Sequence, residues 1–236
     1  MSWQGGEFET GGNLAYAGLA QSLPMWIEVD GRVHAETLLA AAGAICGYSG
    51  QCAVFQRAAN GEKFGQGELM TLNATNGHRY FVGDALNTQF FGGQGDPNGN
   101  LWALLSGTAQ AHGLAPERMP SPAEIFSPMA EKLGGEGEGF PTVDKAHQPH
   151  LPIDQLLRGV WPHALECFIG RVVKIGERHY PVPVRLWPAI AAWAAIANFG
   201  KTLQILDPRI AVLIIMQSAA FASKLDPNRV VPPPSA

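Results

Sequence analysis

Two stretches near the C-terminus, Leu186 to Phe199 and Ile210 to Leu225, are apolar on nearly every side when wound as helices. A helix of that kind has no polar face to give to water and has to be enclosed by other elements. The chain must therefore supply partners for two central helices, and Asp207-Pro208 supplies the cap and first-turn proline that start the second. Neither run reaches the roughly 20 consecutive apolar residues that a single bilayer span needs. No membrane partner is expected.

The first candidate partner is the proline-free stretch Glu36 to Arg57, where Leu38, Ala41, Ile45, Tyr48, Cys52 and Phe55 recur at steps of three and four. Gly43, Gly47 and Gly50, with Ala42 and Ala53 beside them, give the same helix a face without bulk. Each glycine costs about 1 kcal/mol of helix propensity, so something must approach that face closely enough to compensate. A second apolar stripe runs from Ile153 through Leu156, Leu157, Val160, Trp161 and Ala164 to Ile169, with a kink expected at Pro162. Asp96-Pro97 reads as the start of a helix carrying Leu101, Leu104, Leu105, Thr108 and His112. Ser121-Pro122-Ala123-Glu124 is a capping box opening a short helix toward Leu133, which Pro128 should bend or end.

Strand signals are confined to the first half. Asp30-Gly31 between Met25–Val29 and Arg32–His34 suggests a tight hairpin, and Asn76-Gly77 between Leu69–Thr75 and His78–Gly83 a second one. A two-residue loop there sets Leu72 opposite Phe81, Thr71 opposite Val82 and Asn73 opposite Tyr80. Asp84 then reads as the cap of a short helix over Ala85 to Phe91. These elements predict an α+β fold, predominantly helical, with a small antiparallel sheet of two hairpins covered by helices. Residues 13–228 form a single globular domain in this reading, between a flexible N-terminus at 1–12 and a flexible tail at 229–236.

Charged residues make up 15% of the chain, against about 25% in a typical domain. The net charge is −4 and the Lys and Arg residues are scattered, so there is no stripe of the kind that neutralises phosphates, and nucleic acid is not an expected partner. The opening MSWQGGEFETGG lacks the cationic start and apolar run of a secretory signal. Cys46, Cys52 and Cys167 show no metal or redox spacing, which points to reduced thiols and a cytoplasmic location.

Chemistry-bearing residues concentrate in the irregular stretch 134–152 and the helix after it: Asp144, His147 and His150, followed by His163 and Glu166. Imidazoles and a carboxylate together suit a divalent transition metal with an open position for water. Their spacing matches no known metal signature, and a solvated loop with surface histidines is the plainer account. Other patterns fail on context. Gly92 to Gly95 lacks the Lys-Ser/Thr pair of a phosphate loop. Asp96, Asn98 and Asn100 lack the glycine and the glutamate of a calcium loop. Ser49 falls inside a helix rather than at a strand-to-helix turn.

Sparse charge and six tryptophans imply apolar surface that a partner covers. The expectation is a self-associating, homodimeric binding or structural protein without catalysis, joined through Gly43, Gly47 and Gly50. The alternative is a metal-assisted hydrolase or lyase using Asp144, His147 and His150.

Overall fold

The computed structural model describes residues 1, 3–92, 100–172 and 178–231. Helix α2 (Ala35–Ala59) lies at the centre and packs most extensively against α8 (Pro208–Ala222), then α7 (Trp187–Thr202) and α6 (Ile153–Phe168). Helix α1 (Glu9–Trp26) lies across α6 and α7. The remaining helices are α3 (Asp84–Phe91), α4 (Leu101–Ala111), α5 (Pro122–Glu131) and the short α9 (Pro227–Val230). One antiparallel pair, β1 (Met70–Asn73) with β2 (Arg79–Val82), completes a predominantly helical α+β fold.

The all-round apolar stretches are enclosed as their composition requires: every residue of α8 from Ala211 to Ala222 is buried. Asp207 caps α8, its carboxylate accepting from the Arg209 and Ile210 amides. Helix α2 is long and apolar enough to cross a bilayer, but 89% of its most apolar window is buried against the other helices.

The small face of α2 explains how α8 comes so close. A Cβ added at Gly43 would stand 2.3 Å from the Ile215 carbonyl oxygen, and one at Gly47 2.1 Å from that of Ala219. Only hydrogen fits there, so two backbones meet directly and gain dense dispersion contact. Gln51 adds a polar tie at the end of this seam, its amide donating to the Ser223 and Leu225 carbonyls at 2.9 and 2.8 Å.

The capping box at Ser121 and Glu124 is present, but Pro128 does not end α5, which continues to Glu131. The proline deprives the Glu124 carbonyl of its helical donor. The Gln217 side chain supplies a replacement at 2.7 Å while its oxygen accepts from the Thr142 amide. Pro162 likewise lies inside α6 without ending it.

Three local expectations are corrected. The first hairpin shrinks to one bridge, Val29 with Arg32, around Asp30 (φ 51°) and Gly31 (φ 74°), because Met25 and Trp26 belong to α1. The β1–β2 register is shifted by one residue, with Leu72 opposite Tyr80, Thr71 opposite Phe81 and Asn73 opposite Arg79. The connecting loop holds three residues between Ala74 and His78, with Gly77 at φ 80° and the Asn76 side chain accepting from the His78 amide. Gly83, at φ 136°, is the residue preceding α3, and Asp84 lies in its first turn. Asn100 caps α4, accepting from the Ala103 amide, while Asp96, Pro97 and Asn98 lie outside the described residues.

The ends of the chain join the packing. Trp3 is buried against Gly12, where a Cβ would meet its ring at 2.3 Å, and α1 begins at Glu9, within the stretch expected to be flexible. At the other end, Arg229 and Val230 belong to α9, inside the expected tail.

Candidate functional site

The glycine face does not reach the surface. Gly43 and Gly47 press on α8 of the same chain, and Gly50 faces the Gln89 side chain of α3, whose Cβ lies 3.1 Å from where a Cβ would stand. The close approach inferred from these glycines is real, but its partner is intramolecular, so they are corrected from a contact between copies to an internal seam.

The 134–152 stretch contains one short 3₁₀ turn, Lys145–His147, and is pinned at both ends. At its start the Glu138 carboxylate accepts from the Gly134 amide at 3.1 Å, the Asn76 amide at 3.0 Å, the Tyr80 hydroxyl and Arg229 at 3.1 Å. Arg229 also donates to Asp154 at 3.1 Å. Burial alone would raise the Glu138 pKa, but the hydrogen bonds from Tyr80 and Arg229 hold it below the usual carboxylate value. Every strong acceptor in this group is used within the chain, which makes it an anchor.

The far end of the stretch meets the N-terminus of α2. Glu36, in the first turn of α2, has a side chain only 11% exposed and holds two imidazoles: His34 Nε2 at 3.1 Å from Oε2 and His147 Nδ1 at 3.0 Å from Oε1. The His34 and His150 rings stack, with centroids 3.9 Å apart and planes 13° from parallel. Thr37 Oγ1 accepts from the His150 amide at 3.0 Å and lies 2.9 Å from His34 Nδ1. Burial lowers the His34 pKa; Glu36 opposes this and His150 adds to it.

This arrangement settles where the proposed ligands go. His147 and His150 converge, but on Glu36 and His34, which the sequence reading did not single out. Asp144 is exposed and lines a separate hollow with Arg209. His163 stacks on Trp26 at 5.2 Å, and Glu166 faces Arg171 at 3.4 Å. Each Glu36 oxygen serves a different ring, and stacked rings do not aim their nitrogens at a common centre. Among the described residues no three His, Cys, Asp or Glu side chains are arranged to hold a metal ion. The set Asp144, His147 and His150 is corrected accordingly.

Around the histidines lie two adjoining hollows with apolar walls. A hollow of about 470 Å³ is walled by Ile27, Val29, Val33, His34 and His150, with Asp30 and Arg32 at its lip. A second, of about 200 Å³, shares Ile27, Val29 and His150 and continues along Leu151, Leu156 and Val160 of α6 and the segment before it. Val29, Val33 and Leu151, which line these hollows, are 60%, 40% and 46% exposed.

The other reactive groups are built into the core. Burial raises all three thiols, Cys52 and Cys167 to about 12, which leaves them protonated and unreactive near neutrality. Burial also pushes the Lys224 ammonium down to about 8. It donates to Asn87 and to the Ala220 carbonyl above the Phe126 ring. Ser49 is fully buried within α2. Compared with family models, with curated proteins and with solved structures, the chain matches none.

Proposed function

We propose that the protein is a self-associating binding protein without catalysis, acting in the cytoplasm, and that its contact face is the groove formed by residues 25–34 and the 150–160 segment. The observation that carries this reading is that Val29, Val33 and Leu151, all well exposed, line two hollows that share Ile27, Val29 and His150. Exposed apolar side chains scattered singly need no partner, whereas a contiguous group rimmed by polar residues is characteristic of a contact surface.

Charge selects a second copy as the occupant. Asp30 and Arg32 stand two residues apart on an exposed turn, and neither has an ion-pair partner among the described residues. A two-fold axis through that turn brings Asp30 of each copy to Arg32 of the other, because such an interface is self-complementary. The metal-assisted alternative has no comparable support, since Asp144 lies apart from His147 and His150 and lines a different hollow.

Sedimentation velocity at micromolar concentration tests the proposal. The unmodified protein should sediment as a dimer, and Val29→Asp combined with Leu151→Asp as a folded monomer. A monomeric unmodified protein, or a dimer untouched by both substitutions, overturns it.

A further inference from the structure

The strand pair β1–β2 has one edge closed and one open. On the β2 side the Phe81 amide donates to the Lys224 carbonyl at 2.8 Å, and Tyr80 bridges to Leu225. Phe81 therefore turns its backbone away from β1. Where the strands meet their turn, the Ala74 amide donates to the His78 carbonyl at 2.9 Å. Bonded and non-bonded pairs alternate along an antiparallel ladder. With Leu72 opposite Tyr80, Thr71 opposite Phe81 and Asn73 opposite Arg79, it is Leu72 that exchanges bonds with β2. Thr71 and Asn73 aim their N–H and C=O groups outward, where no other backbone group among the described residues reaches them.

The side chains overhang in the same way. Tyr80 is fully buried, yet Leu72 directly opposite it on the same face is 43% exposed, and Met70 is 48% exposed. Four residues make a short edge, but between Leu69 and Ala74 there is neither a proline nor a charge to repel a further strand. We infer that β1 is a docking edge for an extended segment of a partner protein, one with apolar residues at alternate positions and a basic residue at each end. The backbone of such a segment bonds to Thr71 and Asn73, and its apolar side chains lie beside Met70 and Leu72.

Charge decides against a second copy on this edge. Glu68, just before the strand, and Glu136 are exposed, and neither has an ion-pair partner among the described residues. Glu136 belongs to the loop that meets the other end of β1, where Gly134 lies against Ala74 and Asn76. A second copy laid antiparallel along β1 would bring Glu68 of one chain toward Glu136 of the other, like against like. A segment with lysine or arginine at its ends meets a carboxylate at each. Arg79, the cation on β2, is already taken by Asp226. The inference does not rest on self-association, since β1 shares no residue with the groove of residues 25–34 and 150–160.

The probe is the synthetic peptide acetyl-Lys-Val-Thr-Val-Lys-amide, titrated into the protein and followed by amide NMR. The Thr71 and Asn73 signals should shift with a dissociation constant below about 1 mM. At saturation their hydrogen exchange should slow about fivefold, while exchange of the Leu72 amide, already bonded within the pair, and of the α8 amides stays as it was. A twin peptide with glutamate in place of both lysines should bind about fivefold more weakly. Thr71→Pro removes an outward donor but no bond of the pair, so the fold is kept and binding should weaken about tenfold. Thr71→Val keeps the donor and should bind as the unmodified protein does. Thr71 and Asn73 signals unmoved at millimolar peptide in the unmodified protein overturn the docking edge, whatever becomes of the variants. So does equal binding by folded Thr71→Pro, or equal binding of the glutamate twin.

Discussion

The middle of α2 and its N-terminal turn are built on opposite terms. At Gly43 and Gly47 the helix meets α8 through bare backbone, with Ile215 and Ala219 close enough to exclude any side chain. At Ala35 to Thr37 it meets them through a carboxylate, a hydroxyl and three imidazoles, beside apolar groups that stay exposed. The middle has one arrangement, because close-packed backbone tolerates no shift. The second is held by a few hydrogen bonds near the surface, the kind of region that opens locally at small cost. Stability should therefore reside in the seam, and self-contact beside the N-terminal turn.

Substitutions can break this contrast. The largest effect is expected at Gly47→Val, which forces a branched side chain into a backbone contact and should cost at least about 3 kcal/mol in denaturant unfolding. A loss below about 1 kcal/mol would show that the seam is loose. Gln217→Leu comes next: it strips the Glu124 carbonyl and the Thr142 amide of their partners and should cost about 2 kcal/mol. Glu36→Gln should cost about 1 kcal/mol at neutral pH, since it weakens two hydrogen bonds near the surface. Val29→Asp should leave stability within about 0.5 kcal/mol while altering the sedimentation coefficient. If Val29→Asp destabilised the chain as much as Gly47→Val, the proposed division between the seam and the N-terminal turn would be lost.

The helices were legible because apolar residues at three-and-four spacing recur in α2, α6, α7 and α8, and because Ser121, Asp207 and their prolines mark starts whatever surrounds them. The start of α1 was not legible: Gly11 and Gly12 argue locally against helix, and they are there because Tyr180 and Trp3 lie against them. The same limit applies to the seam. Gly43 and Gly47 announce a close approach, but nothing local says whether the approaching backbone belongs to the same chain. In the hairpin, Ala74 pairs with His78 around a three-residue turn in which Gly77 takes a positive φ, so the register lies one residue from that of a two-residue loop. His147 and His150 were singled out for their chemistry, while Glu36, their meeting point, lies 111 residues from His147 in sequence, and no periodicity links the two. Its one local trace was a histidine and a glutamate flanking the start of an apolar helix.

The proposed two-fold face can be tested by mixing. Asp30→Lys alone sets like charges against each other across the axis, and so does Arg32→Asp alone, so each should be monomeric by light scattering. Combined in equal amounts, the two variants restore opposite charges at both contacts and should give the mass of a dimer containing one copy of each. Dimers formed by either variant alone, or a mixture that stays monomeric, would contradict the placement of self-contact on this turn.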